Sequence, residues 1–206
     1  PDLEASAARR GRSQSRLLLQ QPQFLLFLAA IALVQSSHAV LYGFATIHWR
    51  DAGISEAAIG WLWAEGVIAE IAVFYTAAHF TRRLGPWRLL MISSMIASLR
   101  WAGLASTTTL THLILLQWLH AFSFALSHLA LVEFITRRVP ASATTSAQTL
   151  VDALSLGLAF GGTMLLAGIL YTAYAGGAWY LMCAMTLIAL ALAFLGHRRF
   201  RAVISF

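Results

Sequence analysis

A chain of 206 residues that is 59% hydrophobic and only 11% charged has about half the charge of an average soluble domain. With a mean hydropathy of +0.73, it lacks the polar surface to clothe a water-soluble globule. The formal charge of +6 would suit nucleic acid on a soluble protein, but all fourteen basic residues are Arg, clustered between apolar runs, so no nucleic-acid partner is expected.

Residues 1–21 are polar and Arg-rich and have no apolar core of their own. No small-residue cleavage site follows the first hydrophobic run, so this is not a signal peptide. Because residue 1 is Pro, the expectation is a piece of a longer chain, with 1–21 as a cytoplasmic linker. A transmembrane bundle over 22–197 and a cytoplasmic tail over 198–206 should follow. One crossing takes about 20 residues, and the charge-free runs leave room for six.

The first helix is placed at 24–48, with Pro22 at its start. Arg50-Asp51-Ala52-Gly53 turns the chain. Ser55 caps the second helix, which runs to 80, with Glu56 in its first turn. Thr81 to Pro86 is a tight basic turn, and the third helix covers 87–105. Ser106 to Thr109 breaks the pattern before the fourth helix at 110–136. The run from Ala153 to His197 carries no Asp, Glu, Lys or Arg and is too long for one crossing. Ala175-Gly176-Gly177 divides it, giving a fifth helix at 143–171 and a sixth at 179–195. Small residues on the fifth helix (Gly157, Gly161, Gly162, Gly168) are expected to pack against neighbours. The expected fold class is therefore an all-α membrane protein of six transmembrane helices.

Orientation follows from the arginines. Twelve of the fourteen fall on the side that holds both chain ends, Arg50 lies on the other, and Arg100 is inside the third helix. Positive charge marks the cytoplasmic side, so both termini are expected there.

Polar groups within the spans are the functional candidates, since a charge at mid-bilayer costs about 3 kcal/mol on insertion scales. Gln35, His38, Tyr42, Thr46 and Trp49 recur at helical spacing and form one stripe. Such a stripe serves either helix–helix hydrogen bonding or a pathway. Glu65 and Glu70 lie about 140° apart on the second helix, roughly 15 and 22 Å from Ser55. Desolvation disfavours a carboxylate at such depth, which makes it a candidate proton carrier. Arg100 lies roughly 9 Å from the outer end of its helix. Its planar fork suits a carboxylate or an anionic substrate. The fourth helix carries Gln117, His120, Ser123 and His128, and an imidazole carries protons near neutral pH. Glu133, four residues before Arg137, reads as a helix-end ion pair. Asp152 is ambiguous. The single cysteine, Cys183, sits in an apolar run and has no partner for an internal disulfide. No cluster has metal-ligand spacing, and no phosphate loop or nucleophile elbow occurs. No metal, cofactor or enzymatic activity is expected.

The run Ser37-His38-Ala39, Tyr42-Gly43-Phe44, Ile47 and Trp49 resembles the seventh helix of bacterial phenylpropionate (hydroxycinnamate) permeases. Gly60, Leu62-Trp63, Gly66-Val67, Ala69-Glu70 and Phe74 resemble the helix that follows. These permeases belong to the major facilitator superfamily and are similar to lactose permease. The resemblance covers about residues 24–194. Arg82-Arg83-Leu84-Gly85 looks like the signature loop that such transporters repeat in each half. Arg100 matches an essential Arg of the ninth helix of lactose permease. The tenth helix of that protein reads Lys-x-x-His-x-x-Glu, and here the positions read Gln117-x-x-His120-x-x-Ser123. The His is kept, and the acid is not.

The resemblance implies helices seven to twelve of a twelve-helix transporter whose substrate sits between two halves. The expected function is a proton symporter that imports a small organic acid across a bacterial inner membrane. Glu70 and His120 would couple the proton, and His38, Tyr42, Arg100, Gln117 and His128 would bind substrate. Substrate, protons, the bilayer and the N-terminal half are the expected partners. A sugar or nucleoside symporter, a complete six-helix scaffold and an intramembrane enzyme are the alternatives.

The topology is tested by cysteine labelling in cells. A cysteine at Thr108 should react with an impermeant reagent from outside, and one at Arg138 only after permeabilisation. The reverse pattern overturns the assignment.

Overall fold

The computed structural model describes residues 2–200, with side chains placed for 11–76 and 83–200. The arginines counted at 9, 10, 82 and 201 and the tail residues 201–206 lie outside the described side chains. The stretch expected as a linker forms a helix, α1 (Asp2–Leu19). It docks on the bundle through Leu18, which is fully buried. Ser146 Oγ also donates to the carbonyl of Gly11 at 3.4 Å.

Pro22 supplies a preset φ at the first turn of α2 (Pro22–Ser36). The expected first helix is not continuous. It stops at Ser37–His38 and resumes as α3 (Ala39–Asp51). The cause is local: the amide of His38 turns to the carbonyl of Gln35, three residues back, at 3.2 Å. The carbonyl of Val34 is thereby freed, and two side chains take it, Ser37 Oγ at 2.6 Å and His38 Nδ1 at 3.0 Å. Short polar side chains compete with the backbone in this way and bend helices without Pro or Gly.

The remaining crossings are α4 (Glu56–Leu84), α5 (Pro86–Ser106) and α6 (Leu110–Arg138). Gly53 (φ 84°) and Gly85 (φ 73°) occupy the tight turns before α4 and α5, where residues with a Cβ are strained. Beyond α6 come α7 (Thr144–Val151), a wide-turn π segment at Asp152–Ala159, α8 (Phe160–Tyr174) and α9 (Ala178–Arg199). The expected fifth helix is thus three segments, and the π stretch widens its middle. No strand occurs among the described residues.

Among the described residues, five stretches are long and apolar enough to cross a membrane, and the last, Ala141–Arg199, has 59 residues. It is two crossings. Ala143, Ala147 and Val151 pack in the same core as Ala189 and Ala193. Ala167 shares a second core with Ala178, Trp179 and Met182. The chain therefore reverses between them, at Ala175–Gly177, where Ala175 itself has φ 46°. Six crossings result, as composition and loop spacing imply.

The two cores lie at opposite ends. Phe27, Trp87 and Phe134 anchor the one nearer the arginine clusters, and Trp49, Trp101 and Trp179 the other. The glycines expected to pack the fifth helix do not all do so. A Cβ at Gly161 or Gly162 would meet nothing within 4 Å, so this face is open. Gly196 is the contrasting case. A Cβ there would overlap the ring of Trp87, which Phe27 and Phe134 hold edge-on at 5.3 and 5.9 Å.

Gly196→Ala should therefore destabilise by about 1–3 kcal/mol through overpacking, read as a lower thermal midpoint in detergent. Adding Trp87→Phe should recover part of the loss. An unchanged midpoint for Gly196→Ala would show that the ring has room to shift.

Candidate functional site

Close approach of α4 and α6 positions the central polar groups. Ala69 and Val73 of α4 meet Ala121 and Ala125 of α6 in a seam of mostly small residues. One turn further along α4, Gly66 leaves room for α6: a Cβ there would sit 3.5 Å from His120 and 3.6 Å from Gln117. Gln117 spends both ends of its amide across this seam. Its Nε2 donates to the carbonyl of Leu62 at 2.9 Å. Its Oε1 accepts from Arg100 Nη2 at 2.7 Å.

Arg100 has no exposed surface. Its Nε donates to the carbonyl of Leu116 at 3.0 Å. The guanidinium lies 4.5 Å from the centre of the Trp101 ring, a cation–π contact. Nη1 has no partner among the described residues. The sequence expectation had Arg100 receiving the substrate or Glu70. In the structure it sits behind the site and holds Gln117, and it interacts with Glu70 only through space.

Glu70 contacts His120 instead, Oε1 to Nε2 at 2.6 Å, with side-chain exposures of 17% and 6%. At that separation one of the two groups donates a hydrogen bond to the other. His120 Nδ1 has no hydrogen-bond partner among the described residues. His38 packs edge-on against the His120 ring, centres 5.4 Å apart. Because His38 Nδ1 faces a carbonyl, which only accepts, that nitrogen donates. Its Nε2 is then a buried acceptor without a partner. His38 is almost fully buried, at the break between α2 and α3.

Tyr42 is the exposed member of this cluster, at 44%. It stacks on His38 at 5.9 Å and on Trp63 at 6.1 Å, and Trp63 Nε1 donates to Thr46 Oγ1 at 3.0 Å. Beside it opens a cleft of about 370 Å³ lined by Gln35, Tyr42, Phe124, His128, Leu156 and Phe160. His128 lies against the Phe124 ring at 4.4 Å, and its Nδ1 is 3.3 Å from Gln35 Nε2.

The structure thus brings His38, Tyr42, Glu70, Arg100, Gln117 and His120 into one cluster, with His128 at the neighbouring cleft. Glu65 is elsewhere, in a groove with Trp61, Ile114 and Trp118. Asp152 is exposed beside Thr144 and Gln148. Glu133 pairs with Arg137. Among the described residues no group of three His, Cys, Asp or Glu is placed to hold a metal. Sequence reasoning missed the bond from Trp101 Nε1 to Ser37 Oγ at 3.0 Å. Its only signal was that a buried indole N–H needs an acceptor.

Residues 3–183 match the MFS_1 like family. The chain is 35% identical over 164 residues to a probable 3-phenylpropionic acid transporter of Escherichia coli (strain K12). The alignment takes in 80% of this chain and 43% of that protein, so the chain spans less than half of the relative. That relative is named as a transporter, not an enzyme.

Arg100→Lys should destabilise the bundle by about 1–3 kcal/mol. An ammonium does not reach both the Leu116 carbonyl and Gln117, and a buried acceptor is left unpaired. Thermal unfolding in detergent reads this without any transport assay, and an unchanged midpoint would show that Arg100 is not the tie.

Proposed function

The chain belongs to the MFS_1 like family, and from that premise we propose that it is the C-terminal six-helix half of a proton-coupled importer of a small aromatic carboxylate, such as 3-phenylpropionate. The carrying observation is the Glu70–His120 contact at 2.6 Å, beside a cleft walled by Tyr42, Phe124 and Phe160. The cleft offers aromatic faces for a ring and two polar groups, Gln35 and His128, for a carboxylate. The other wall of the pathway would come from an N-terminal half. The arginine-rich side is cytoplasmic, and the membrane is the bacterial inner membrane.

In this mechanism Glu70 is the coupling group and His120 holds and relays its proton. Neutral, Glu70 costs little to carry through the dry intermediate between outward- and inward-open states. Ionised, it resists closure. Substrate binds before the proton leaves. Tyr42 closes the cluster toward the cleft and reports substrate to the pair through the stacked His38 ring.

Glu70→Gln fixes the protonated shape. In the full-length transporter it should keep exchange of substrate between two loaded sides and lose accumulation driven by a pH gradient. His120→Asn should shift the pH optimum or weaken binding. Uphill accumulation by Glu70→Gln in response to pH would move the coupling site elsewhere, to Glu65 and then Asp152. Uptake that sugars or nucleosides block and phenylpropionate does not would overturn the substrate class.

A further inference from the structure

A second groove, of about 490 Å³, lies between α4, α5 and α6. It is lined by Val73, Ile92, Ile96, Trp118, Phe122 and Leu126, among others. Its lining is apolar except for Thr76, whose hydroxyl is bonded to its own helix at Ala72. Trp118, Phe122 and Leu126 each precede a residue of the His120, Phe124, His128 row by two positions. They therefore lie about 160° around α6 from it. The groove faces away from the cleft, and hence away from any second half that closes over the cleft. It faces lipid.

We propose that this groove binds one acyl chain of an anionic phospholipid, whose phosphate is held by Arg83 and Arg88. Arg83 follows Thr76 by seven residues on α4, so it lies within about 20° of the groove face and roughly 10 Å nearer the arginine-rich end. Arg88 is in the first turn of α5, next to Leu89, which lines the groove. Both arginines are exposed. Neither has an ion-pair partner among the described residues. The walls suit a chain. Trp118 to Leu126 rises roughly 12 Å, close to one leaflet of an about 30 Å hydrocarbon core. Basic residues at the mouth of an inter-helix groove are the recognised chemistry for anionic headgroups. A zwitterionic lipid supplies the same chain without the net charge, which sets the test.

Trp118 is a built-in reporter. The full-length protein is reconstituted in vesicles of phosphatidylcholine and phosphatidylglycerol, with bromine on the acyl chains of one lipid or the other. Brominated phosphatidylglycerol should quench more strongly than brominated phosphatidylcholine at equal bromine density, and Trp118→Phe should remove that difference. Arg83→Gln and Arg88→Gln should each lower the preference about fivefold, the value of one basic residue at an anionic surface. Arg12→Gln, an exposed arginine on α1, should leave it unchanged. Equal quenching by both lipids, or an equal loss in Arg12→Gln, overturns the proposal. So does a Trp118 that neither lipid quenches, since protein would then cover the groove.

Discussion

A full positive charge with no exposed surface is the constraint around which the centre of this bundle is built. Arg100 is removed from water entirely, and no carboxylate among the described residues touches it. Burying such a charge is costly unless its donors are filled. The fold supplies partners for Nε and Nη2, a main-chain carbonyl of α6 at Leu116 and the amide oxygen of Gln117, and leaves Nη1 without one among the described residues. Gln117 is in turn fixed by the Leu62 carbonyl of α4. One guanidinium therefore ties α5 to α6 and, through a single amide, to α4. The Trp101 ring beneath it adds a cation–π contact. That same ring donates its N–H to Ser37, at the break in the first crossing. The buried charge and the broken helix are two ends of one bonded chain.

That chain gives the break a structural meaning. A gap between α2 and α3 frees backbone groups, and in lipid each must find a partner. Ser37 and His38 satisfy the Val34 carbonyl, and Trp101 satisfies Ser37. His38 is consequently held with one nitrogen spent on the backbone and the other turned inward without a partner, against the ring of His120. Breaks lined by polar side chains at mid-membrane are where transporters of this general kind hold their cargo. Here the break delivers an imidazole to the Glu70–His120 pair and, one turn later, Tyr42 to the cleft.

Much of this was legible in the sequence. Gly53, Gly85-Pro86 and Ala175-Gly176-Gly177 mark turns because apolar runs of fixed length must reverse in water, and the structure reverses at each. Glu65 and Glu70 were legible as separate because five residues do not return to the same helix face, and Glu65 lies in the groove with Trp118 while Glu70 lies against His120. The break at Ser37–His38 was not legible. Ser94 and Ser98 bond carbonyls of their own helix without breaking it, so such residues do not by themselves announce a break, and the Trp101 N–H that also holds Ser37 comes from 64 residues away. The π segment at Asp152–Ala159 was equally hidden, since residues 153–159 are nearly all apolar or small and have no polar face to mark a change of phase. For Arg100, depth and charge were readable, but its choice of Gln117 over Glu70 depends on how closely α5 and α6 approach. Gly103 permits that approach, since a Cβ there would meet Leu116 at 2.6 Å.

The position of the acid follows from the same packing. In the lactose permease pattern the acid stands three residues after the His on one helix, and here that residue is Ser123. Ser123 is fully buried, bonded through its hydroxyl to the His120 carbonyl, and its own carbonyl accepts from Ser93 of α5. A carboxylate there would be forced between α5 and α6, without water and with Ser93 as its nearest donor. His120, about 60° round α6 from Ser123, is turned toward α4, and Glu70 reaches it from that side past the missing Cβ of Gly66. In this chain the carboxylate and the imidazole that meet stand on different helices. On the proposed reading this changes what the pair reports. Two groups on one helix keep their separation whatever the bundle does. Two groups on facing helices share a proton only while the seam is closed. The seam between α4 and α6 is mostly alanine, so the two backbones approach closely there, and a contact of 2.6 Å leaves little slack. A small shift of α4 along α6 therefore suffices to part Glu70 from His120, and protonation and helix position become one variable.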